Sequence, residues 1–260
     1  YFIPFIRAKQ NLNFSGREKK DISPENNSGM YAVPQILTRN ADDFLRTANQ
    51  LKEYGYQEVN LNLGCPSKTV VTKGCGAGFL ARPDELEQFL DRIYSKTDMK
   101  ISVKTRLVME NAEEFPRLME IYNRFPMEEL IIHPRVQKDF YKNTPNLEAF
   151  GEALAISKNS VCYNGDIFSA DDFKRIHAQF PNVECFMMGR GILADPSLAR
   201  EIRGGKAADQ SDIRRFHDLL YHTYREEVSG DRNVLFKMKE IWFYLAPMFA
   251  DSKKSVSYTH

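Results

Sequence analysis

Residues 58–95 read EVNLNLGCPSKTVVTKGCGAGFLARPDELEQFLDRIYS, and this stretch decides the fold class. Residues 58–63 form a short run that predicts a strand, whereas residues 82–95 place apolar side chains at helical spacing. A polar segment containing several glycines joins the two. A strand followed by a helix of this length is the unit from which parallel sheets with right-handed crossovers are built.

The same alternation of short apolar runs and longer amphipathic segments continues along most of the chain. The other predicted strands span 1–5, 31–37, 100–104, 129–133, 160–164 and 184–188. The other predicted helices of this part span 40–54, 111–124, 147–157 and 169–179. Asn40 and Ser169 stand where helix N-caps are expected, each directly before Ala-Asp-Asp. The repetition predicts an α/β fold of the (β/α)8 TIM-barrel type.

A TIM barrel needs eight strands, and seven are predicted from this sequence. We expect the missing strand to be the first, because residue 1 already lies in a strand-like run. Residues 9–29 are polar and without periodicity, which predicts a long mobile loop. Beyond about residue 194 only helices are predicted, at 196–203, 209–228 and 233–249. We therefore expect a catalytic barrel domain over 1–203 and a helical domain over 204–260.

Composition indicates an ordinary globular protein of the cytoplasm. The formal net charge is +1, so any contact with RNA would need a local basic patch. No run approaches the roughly 20 apolar residues of a membrane-spanning helix, and no signal peptide is predicted. Four cysteines are too few for a disulfide-stabilised secreted domain. Cys162 and Cys185 lie in apolar runs and are interpreted as buried small hydrophobes.

Polar residues follow the predicted strands at their carboxyl ends, where barrel active sites lie. These positions hold Gln35, Asn62, Cys65, Lys104, Arg106, His133, Arg135, Asn164-Gly165-Asp166 and Gly189-Arg190-Gly191. Glycine amides and Arg190 in the last two groups suit a phosphate, although glycines in such loops also serve tight turns. Lys104 ends an apolar strand, so we expect it to meet an anion or an electron-rich ring. A lone histidine is commonly structural. His133 could, however, clamp a planar cofactor together with Lys104.

Two roles are open for Cys65. A thiol with the ordinary pKa of about 8.5 is mostly protonated at neutral pH and can donate a proton. A nucleophilic cysteine would need a neighbouring base, and the adjacent sequence contains none. Cys75 is the rival thiol and is interpreted as structural. No metal site is predicted, because Cys65, Cys75 and His133 lack the spacing of metal ligands.

These motifs together resemble those of the tRNA-dihydrouridine synthases. The block NLNLGCPS at 60–67, followed by Val70 and Gly74-x-Gly76-Ala77-x-x-Leu80, is similar to the family's signature. The other blocks follow in the family's order: VPQIL at 33–37, VKTRL at 103–107, HPRVQKDFY at 133–141, NGDI at 164–167 and MGRG at 188–191. The glycine blocks are individually weak, but so many blocks in order are specific.

The resemblance implies an FMN-containing barrel with a helical domain that helps to hold tRNA. It implies that NADPH reduces the flavin, which passes a hydride to C6 of a uracil while Cys65 protonates C5. Gln35, Lys104 and His133 match contacts to the flavin ring; Asn164, Gly165, Asp166, Gly189 and Arg190 match its phosphate end. Asn62 matches the uracil pocket, and Arg106 and Arg135 match contacts to flavin or RNA.

The chain departs from the family pattern at both ends. The family's first strand, with its Ala-Pro-Met motif, is absent, and the helical domain ends early in an unusual tail over 255–260. We expect that the sequence lacks residues of the natural protein. Two alternatives stay open: an FMN-dependent TIM-barrel oxidoreductase of a small molecule, and a non-catalytic RNA-binding barrel. We expect the protein to be a monomer.

Overall fold

A computed structural model describes residues 1–8 and 13–249 of the chain. Its contacts divide the chain into two compact units. The first comprises Tyr1–Gly165 and Val183–Met187, and the second comprises Asp166–Asn182 and the chain from Met188 onward. The domain boundary predicted between residues 203 and 204 differs from this division and stays a prediction.

The first unit contains one parallel sheet whose strands follow each other in chain order. The strands are β1 (Phe2–Arg7), β2 (Val33–Leu37), β3 (Glu58–Leu63), β4 (Lys100–Arg106), β5 (Leu130–His133), β6 (Val161–Tyr163) and β7 (Cys185–Phe186). Each pairs with the next along the chain. This order confirms the α/β barrel class, and all seven predicted strands are present, with β7 the shortest.

Helices between these strands bury the apolar faces that the sequence predicts. In the first unit they are α1 (Gly16–Ile22), α2 (Ala41–Glu53), α3 (Lys68–Val71), α4 (Pro83–Lys96), α5 (Phe115–Tyr122) and α6 (Leu147–Ile156). Phe44 on α2 and Phe89 on α4 meet edge to face, with ring centroids 5.9 Å apart. The Asn40 side chain accepts from the backbone N–H of Asp43 at 3.0 Å, which confirms the predicted cap of α2.

Short 3-10 helices complete the first unit at Pro24–Asn27, Gly76–Ala81, Ala112–Glu114 and Gln137–Asp139. The regular elements described in the second unit are all helical. They are α7 (Ala170–Gln179), α8 (Arg190–Ala194), α9 (Leu198–Ile202), α10 (Gln210–Glu227), α11 (Asp231–Leu245) and a 3-10 turn at Ala246–Met248. Ser169 caps α7 as predicted. Over residues 1–8 and 13–249, no helix is both long enough and apolar enough to cross a membrane.

The prediction of a long loop over residues 9–29 is wrong for its described part. Residues 9–12 lie outside the described ranges, but α1 and the 3-10 helix at Pro24–Asn27 occupy most of residues 13–29. Ser15 and Glu18 form a reciprocal capping box at the start of α1, and Ile22 is completely buried. Ile22 is the only apolar residue of α1, and one such residue does not produce a visible period.

Candidate active site

A cavity of about 750 Å³ lies at the carboxyl ends of the strands in the first unit. Six of the predicted site residues line it: Gln35, Asn62, Cys65, Lys104, Arg106 and His133. This volume falls within the range of roughly 300–1,000 Å³ that is usual for ligand sites. The structure therefore brings together side chains from four strands that are up to about a hundred residues apart in sequence.

Other residues of this cavity could not be identified from the sequence. Arg7 ends β1, and Ser15, Arg17, Glu18 and Asp21 approach the cavity from α1 and its cap. The four residues of α1 and its cap were missed because residues 9–29 were interpreted as a loop, although Ser15-x-x-Glu18 is the pattern of a capping box. The cavity thus has a charged wall contributed by the start of the chain.

The loop that carries Cys65 is held at its backbone. The Asn62 side-chain oxygen accepts from the N–H groups of Gly64 at 3.1 Å and of Cys65 at 2.9 Å. The Cys65 carbonyl accepts from the N–H of Ala77 at 3.1 Å. The half-buried Cys65 side chain lines the cavity. The loop is therefore anchored on β3 and on the 3-10 helix at Gly76–Ala81 while its thiol faces the site.

Gly76 is expected to tolerate no side chain. Its φ is +55°, and an added Cβ would lie 2.8 Å from the Cys65 carbonyl oxygen and 2.9 Å from Val70 Cγ1. We expect Gly76→Ala to lower the free energy of unfolding by about 2 kcal/mol, measured by urea denaturation. Gly55→Ala is the matched control, because Gly55 has a φ of +93° with nothing within 4 Å. Equal losses in the two variants would show that only the backbone conformation matters.

Lys104 brings a positive charge into the cavity without a protein partner. On β4 it lies in register with Asn62 of β3. Within residues 1–8 and 13–249, no acceptor lies in hydrogen-bond or ion-pair distance of its ammonium. Burial lowers the pKa of Lys104 to about 8, and the nearby Arg106 adds to the effect. An unpaired, partly desolvated cation is suited to an anionic or electron-rich ligand.

The desolvated charge of Lys104 is expected to destabilise the ligand-free protein. We expect Lys104→Met to raise the free energy of unfolding at pH 7 by about 2 kcal/mol. Since the folded-state pKa of Lys104 is about 8 and its ordinary pKa is 10.5, the unfolded state binds more protons between those values. The stability of the unsubstituted protein should therefore rise with pH across this window, and that rise should be absent from Lys104→Met.

Chemical denaturation at pH 7, 8, 9 and 10 measures this difference. Lys100→Met is the control, because Lys100 lies on the same strand but is exposed and pairs with Glu128. We expect the control to change the free energy of unfolding by no more than about 0.5 kcal/mol at pH 7. A loss of stability in Lys104→Met would contradict the assignment of an unpaired cation.

Arg106 uses its guanidinium to hold the backbone of the site. Nε donates to the Gly64 carbonyl at 3.0 Å, Nη1 to Val136 at 3.1 Å and Nη2 to Phe140 at 2.7 Å. Its side chain is 1% exposed, and burial lowers its pKa. Phe140 has a φ of +50°, a conformation rare outside glycine. Arg106 therefore joins the Cys65 loop to a strained turn after β5, and its predicted contact with substrate stays a prediction.

His133 and Arg135 form a second buried pair beside the cavity. Nη1 of Arg135 lies 3.0 Å from Nε2 of His133. Because arginine can only donate, Nε2 of His133 accepts and the ring carries its proton on Nδ1. Nε of Arg135 donates to the Asn143 carbonyl. His133 reaches the cavity as predicted, whereas the 2% exposed Arg135 does not line it.

The residues predicted for the phosphate end are divided between the two units. Asn164 and Gly165 belong to the first, where the Asn164 amide donates to the Met187 carbonyl at 2.9 Å. Asp166, Gly189 and Arg190 belong to the second, where Asp166 and Arg190 form an ion pair of 2.6 Å. Sequence spacing gave no sign of this pair, in which Asp166 neutralises the predicted phosphate-binding cation. The cofactor roles of all five residues stay predictions.

The remaining cysteines differ from what the sequence predicts. Cys162 is buried as expected, but Cys185 is exposed, which corrects its interpretation as a buried hydrophobe. The ligand atoms of Glu129, Cys162 and Cys185 lie within 4.8 Å of one another. Cys185 and burial raise the pKa of Cys162, so this side chain stays a thiol within a hydrogen-bonded group. These three residues come from separate segments of the chain, so a search for motif spacing could not have found them. The prediction that the protein has no metal site stays a prediction.

Comparison with known proteins finds a matching family model and several similar sequences. A family model described as dihydrouridine synthase matches residues 1–250. tRNA-dihydrouridine synthase B of Pasteurella multocida (strain Pm70) is 28% identical over 191 residues, 71% of this chain and 55% of that protein. tRNA-dihydrouridine(16) synthase of Ralstonia nicotianae is 27% identical over 216 residues, 80% of this chain and 66% of that protein. The chain thus spans between about half and two thirds of the length of these curated relatives.

A solved structure supports the fold independently of sequence. Histamine dehydrogenase from Rhizobium sp. 4-9 superposes with a TM-score of 0.56 over 74% of this chain and 37% of that chain. The two sequences are only 12% identical. At this level of identity the likeness concerns the fold alone.

Proposed function

The chain belongs to the dihydrouridine synthase family, and from that premise we propose that it reduces uridines of tRNA to 5,6-dihydrouridine with FMN and NADPH. The observation that carries the proposal is the cavity in which Cys65, Asn62 and Lys104 meet at the ends of β3 and β4. A thiol that can donate a proton there stands beside an amide and a cation. Such a set suits the reduction of a polar, electron-poor ring better than hydrolysis, which would need an activated water.

The cavity residues fit a flavin. The unpaired ammonium of Lys104 suits the electron-rich edge of the ring, and Gln35 and His133 contribute polar groups to the same cavity. Bound FMN, once reduced by NADPH, would supply the hydride that C6 of the uracil accepts. Asn164, Gly165, Asp166, Gly189 and Arg190 are the proposed residues for its phosphate end.

The protein's own part in the chemistry is to deliver a proton and to hold the base. We propose that the Cys65 thiol donates its proton to C5 of the uracil and that Asn62 lines the uracil pocket. The Asn62 side-chain oxygen accepts hydrogen bonds from the N–H groups of Gly64 and Cys65, and these bonds fix the position of the thiol relative to the Asn62 amide. The proposed contacts of Arg106 and Arg135 would add positive charge around the substrate. A uridine must leave its base stack to reach such a cavity.

The second unit offers a surface for the rest of the tRNA. Helices α10 and α11 expose cations next to aromatic rings: Arg225 lies 6.0 Å from the Tyr221 ring centroid, and Arg232 lies 5.5 Å from that of Phe236. Phosphates attract such cations, and unstacked bases stack on exposed rings. These helices are our proposed tRNA contact, in an enzyme that we expect to act as a cytoplasmic monomer.

Reconstitution tests the proposal in two steps. The purified chain is incubated with FMN, separated from free flavin and treated with NADPH without oxygen; we expect a yellow protein that is bleached. Unmodified tRNA is then added, and dihydrouridine is mapped by mass spectrometry. Product in tRNA would support the proposal, and the mapped position identifies the target uridine.

The same experiment separates the alternatives. Turnover of a free small molecule without tRNA would favour another flavin-dependent oxidoreductase. A colourless protein that binds tRNA but takes up no FMN would favour the non-catalytic RNA-binding barrel. Either result would overturn the proposed activity.

A further inference from the structure

A continuous chain of side-chain hydrogen bonds crosses the sheet beneath the cavity. It begins at Glu58, at the amino end of β3, which accepts from the Ser102 hydroxyl at 2.7 Å. Ser102 accepts from the Asn60 amide at 3.0 Å, and Asn60 accepts from the Gln35 amide at 2.8 Å. Gln35 in turn accepts from the Asn62 amide at 2.6 Å. The chain therefore ends at the side chain that holds the Cys65 loop.

Strand register explains why these five residues meet. Glu58, Asn60 and Asn62 alternate along β3 and so point to one face of the sheet. Asn60 is in register with Gln35 on β2 and with Ser102 on β4. All five residues are buried, and Asn60 and Ser102 are completely so, which keeps water from replacing a missing partner in the middle of the chain. A row of buried polar groups in this arrangement is costly unless every member is satisfied.

The direction of every bond in the chain is fixed from both ends. A carboxylate such as Glu58 only accepts, so the single hydroxyl proton of Ser102 points toward Glu58 and Ser102 must accept from Asn60. At the other end, the backbone N–H groups of Gly64 and Cys65 only donate, so Asn62 must face them with its oxygen. The two requirements agree, and each amide between them has one permitted orientation.

We propose that Glu58, acting through Ser102, Asn60 and Gln35, is a positioning residue that fixes the amide of Asn62 and thereby the Cys65 loop. Without this chain only the two backbone N–H groups of the loop orient the Asn62 amide, so its oxygen faces the loop less of the time. The loop would then open more often and expose the Cys65 thiol. The catalytic consequence rests on the proposed function, but the geometric one does not.

Alkylation of Cys65 by iodoacetamide measures the geometry directly, without FMN or tRNA. The rate is followed on the peptide that contains Cys65 by mass spectrometry, with Cys75 in the same protein as the internal reference. We expect Ser102→Ala and Glu58→Met each to speed alkylation of Cys65 by about fivefold, the effect of one lost hydrogen bond. The double variant should be no faster than either single variant, because both interrupt the same chain.

Tyr31→Phe is the matched control. The Tyr31 hydroxyl donates to the other oxygen of Glu58 at 2.6 Å, so its removal weakens a neighbour of Glu58 without interrupting the chain. We expect Tyr31→Phe to leave the alkylation rate unchanged. Each variant is first shown to be folded by circular dichroism; if Glu58→Met is unfolded, Ser102→Ala alone decides the result.

Unchanged rates in the folded Ser102→Ala variant would overturn the proposal, and so would an equal increase in Tyr31→Phe. If the proposed activity also stands, Ser102→Ala should lower kcat about fivefold, since the Cys65 thiol is less often in place. Faster alkylation in a chain that makes no dihydrouridine would support the positioning role while refuting the proposed function. The positioning role and the proposed function can therefore be refuted independently.

Discussion

Replacing Cys65 with alanine is expected to reduce dihydrouridine formation at least 100-fold while the protein still binds FMN. A positioned general acid contributes about 10²- to 10⁴-fold to a reaction rate, and alanine has no proton to give. The bonds that hold the loop run through backbone groups of Gly64 and Cys65, so they survive the substitution. Single-turnover assays with reduced enzyme and unmodified tRNA measure the loss.

Cys75→Ala is the control for the loss of a thiol. Cys75 is half-buried, its sulfur lies 3.7 Å from the Lys73 carbonyl, and it does not line the cavity. Burial raises the pKa of Cys75, so its thiol stays protonated. This thiol nevertheless lies outside the cavity. We expect this variant to keep its activity within about twofold. Undiminished product from Cys65→Ala would remove Cys65 from the mechanism, and a loss confined to Cys75→Ala would assign the role to Cys75.

Arg106→Met is expected to lower the free energy of unfolding by about 3–5 kcal/mol. The substitution removes the donor of the Gly64 and Phe140 carbonyls in a buried place and one of the two donors of the Val136 carbonyl, which keeps the Asp139 N–H. It also releases the turn at Phe140, whose φ of +50° needs support from its surroundings. Urea denaturation of the ligand-free protein measures the change.

Arg92→Met is the matched control for Arg106. Arg92 is exposed and pairs with Asp42 at 2.5 Å, so its removal should change the free energy of unfolding by less than about 1 kcal/mol. If Arg106→Met were as stable as this control, the three carbonyl bonds would carry little energy. Arg106 would then be available for a contact with substrate, as the family resemblance implies.

The fold was largely predictable because its signals are local. Period-two and period-3.6 patterns depend on neighbouring residues, and the caps at Asn40 and Ser169 lie directly before their helices. The location of the site followed from one topological rule, that barrels work at the carboxyl ends of their strands. Gln35, Asn62, Cys65, Lys104, Arg106 and His133 could therefore be placed at one cavity before any distance was known.

The features that could not be predicted depend on pairing between distant segments. Asn60 and Ser102 look like polar interruptions of two strands until the register joins them. Cys185 is exposed in the two-residue β7, although the apolar residues around it in the sequence predict burial. Arg106 is interpreted as a ligand contact from the family resemblance, whereas its three acceptors are backbone carbonyls, which a sequence does not distinguish.

The strictly sequential strand order also has a consequence for how the chain folds during synthesis. Among the seven described strands, each one after β1 pairs with the strand made just before it. A nascent chain that has left the ribosome as far as residue 165 already contains β1 to β6. We expect these strands to join the sheet one at a time, each with its helix and with β7 the last of the seven, so that a newly made strand is rarely left unpaired during translation.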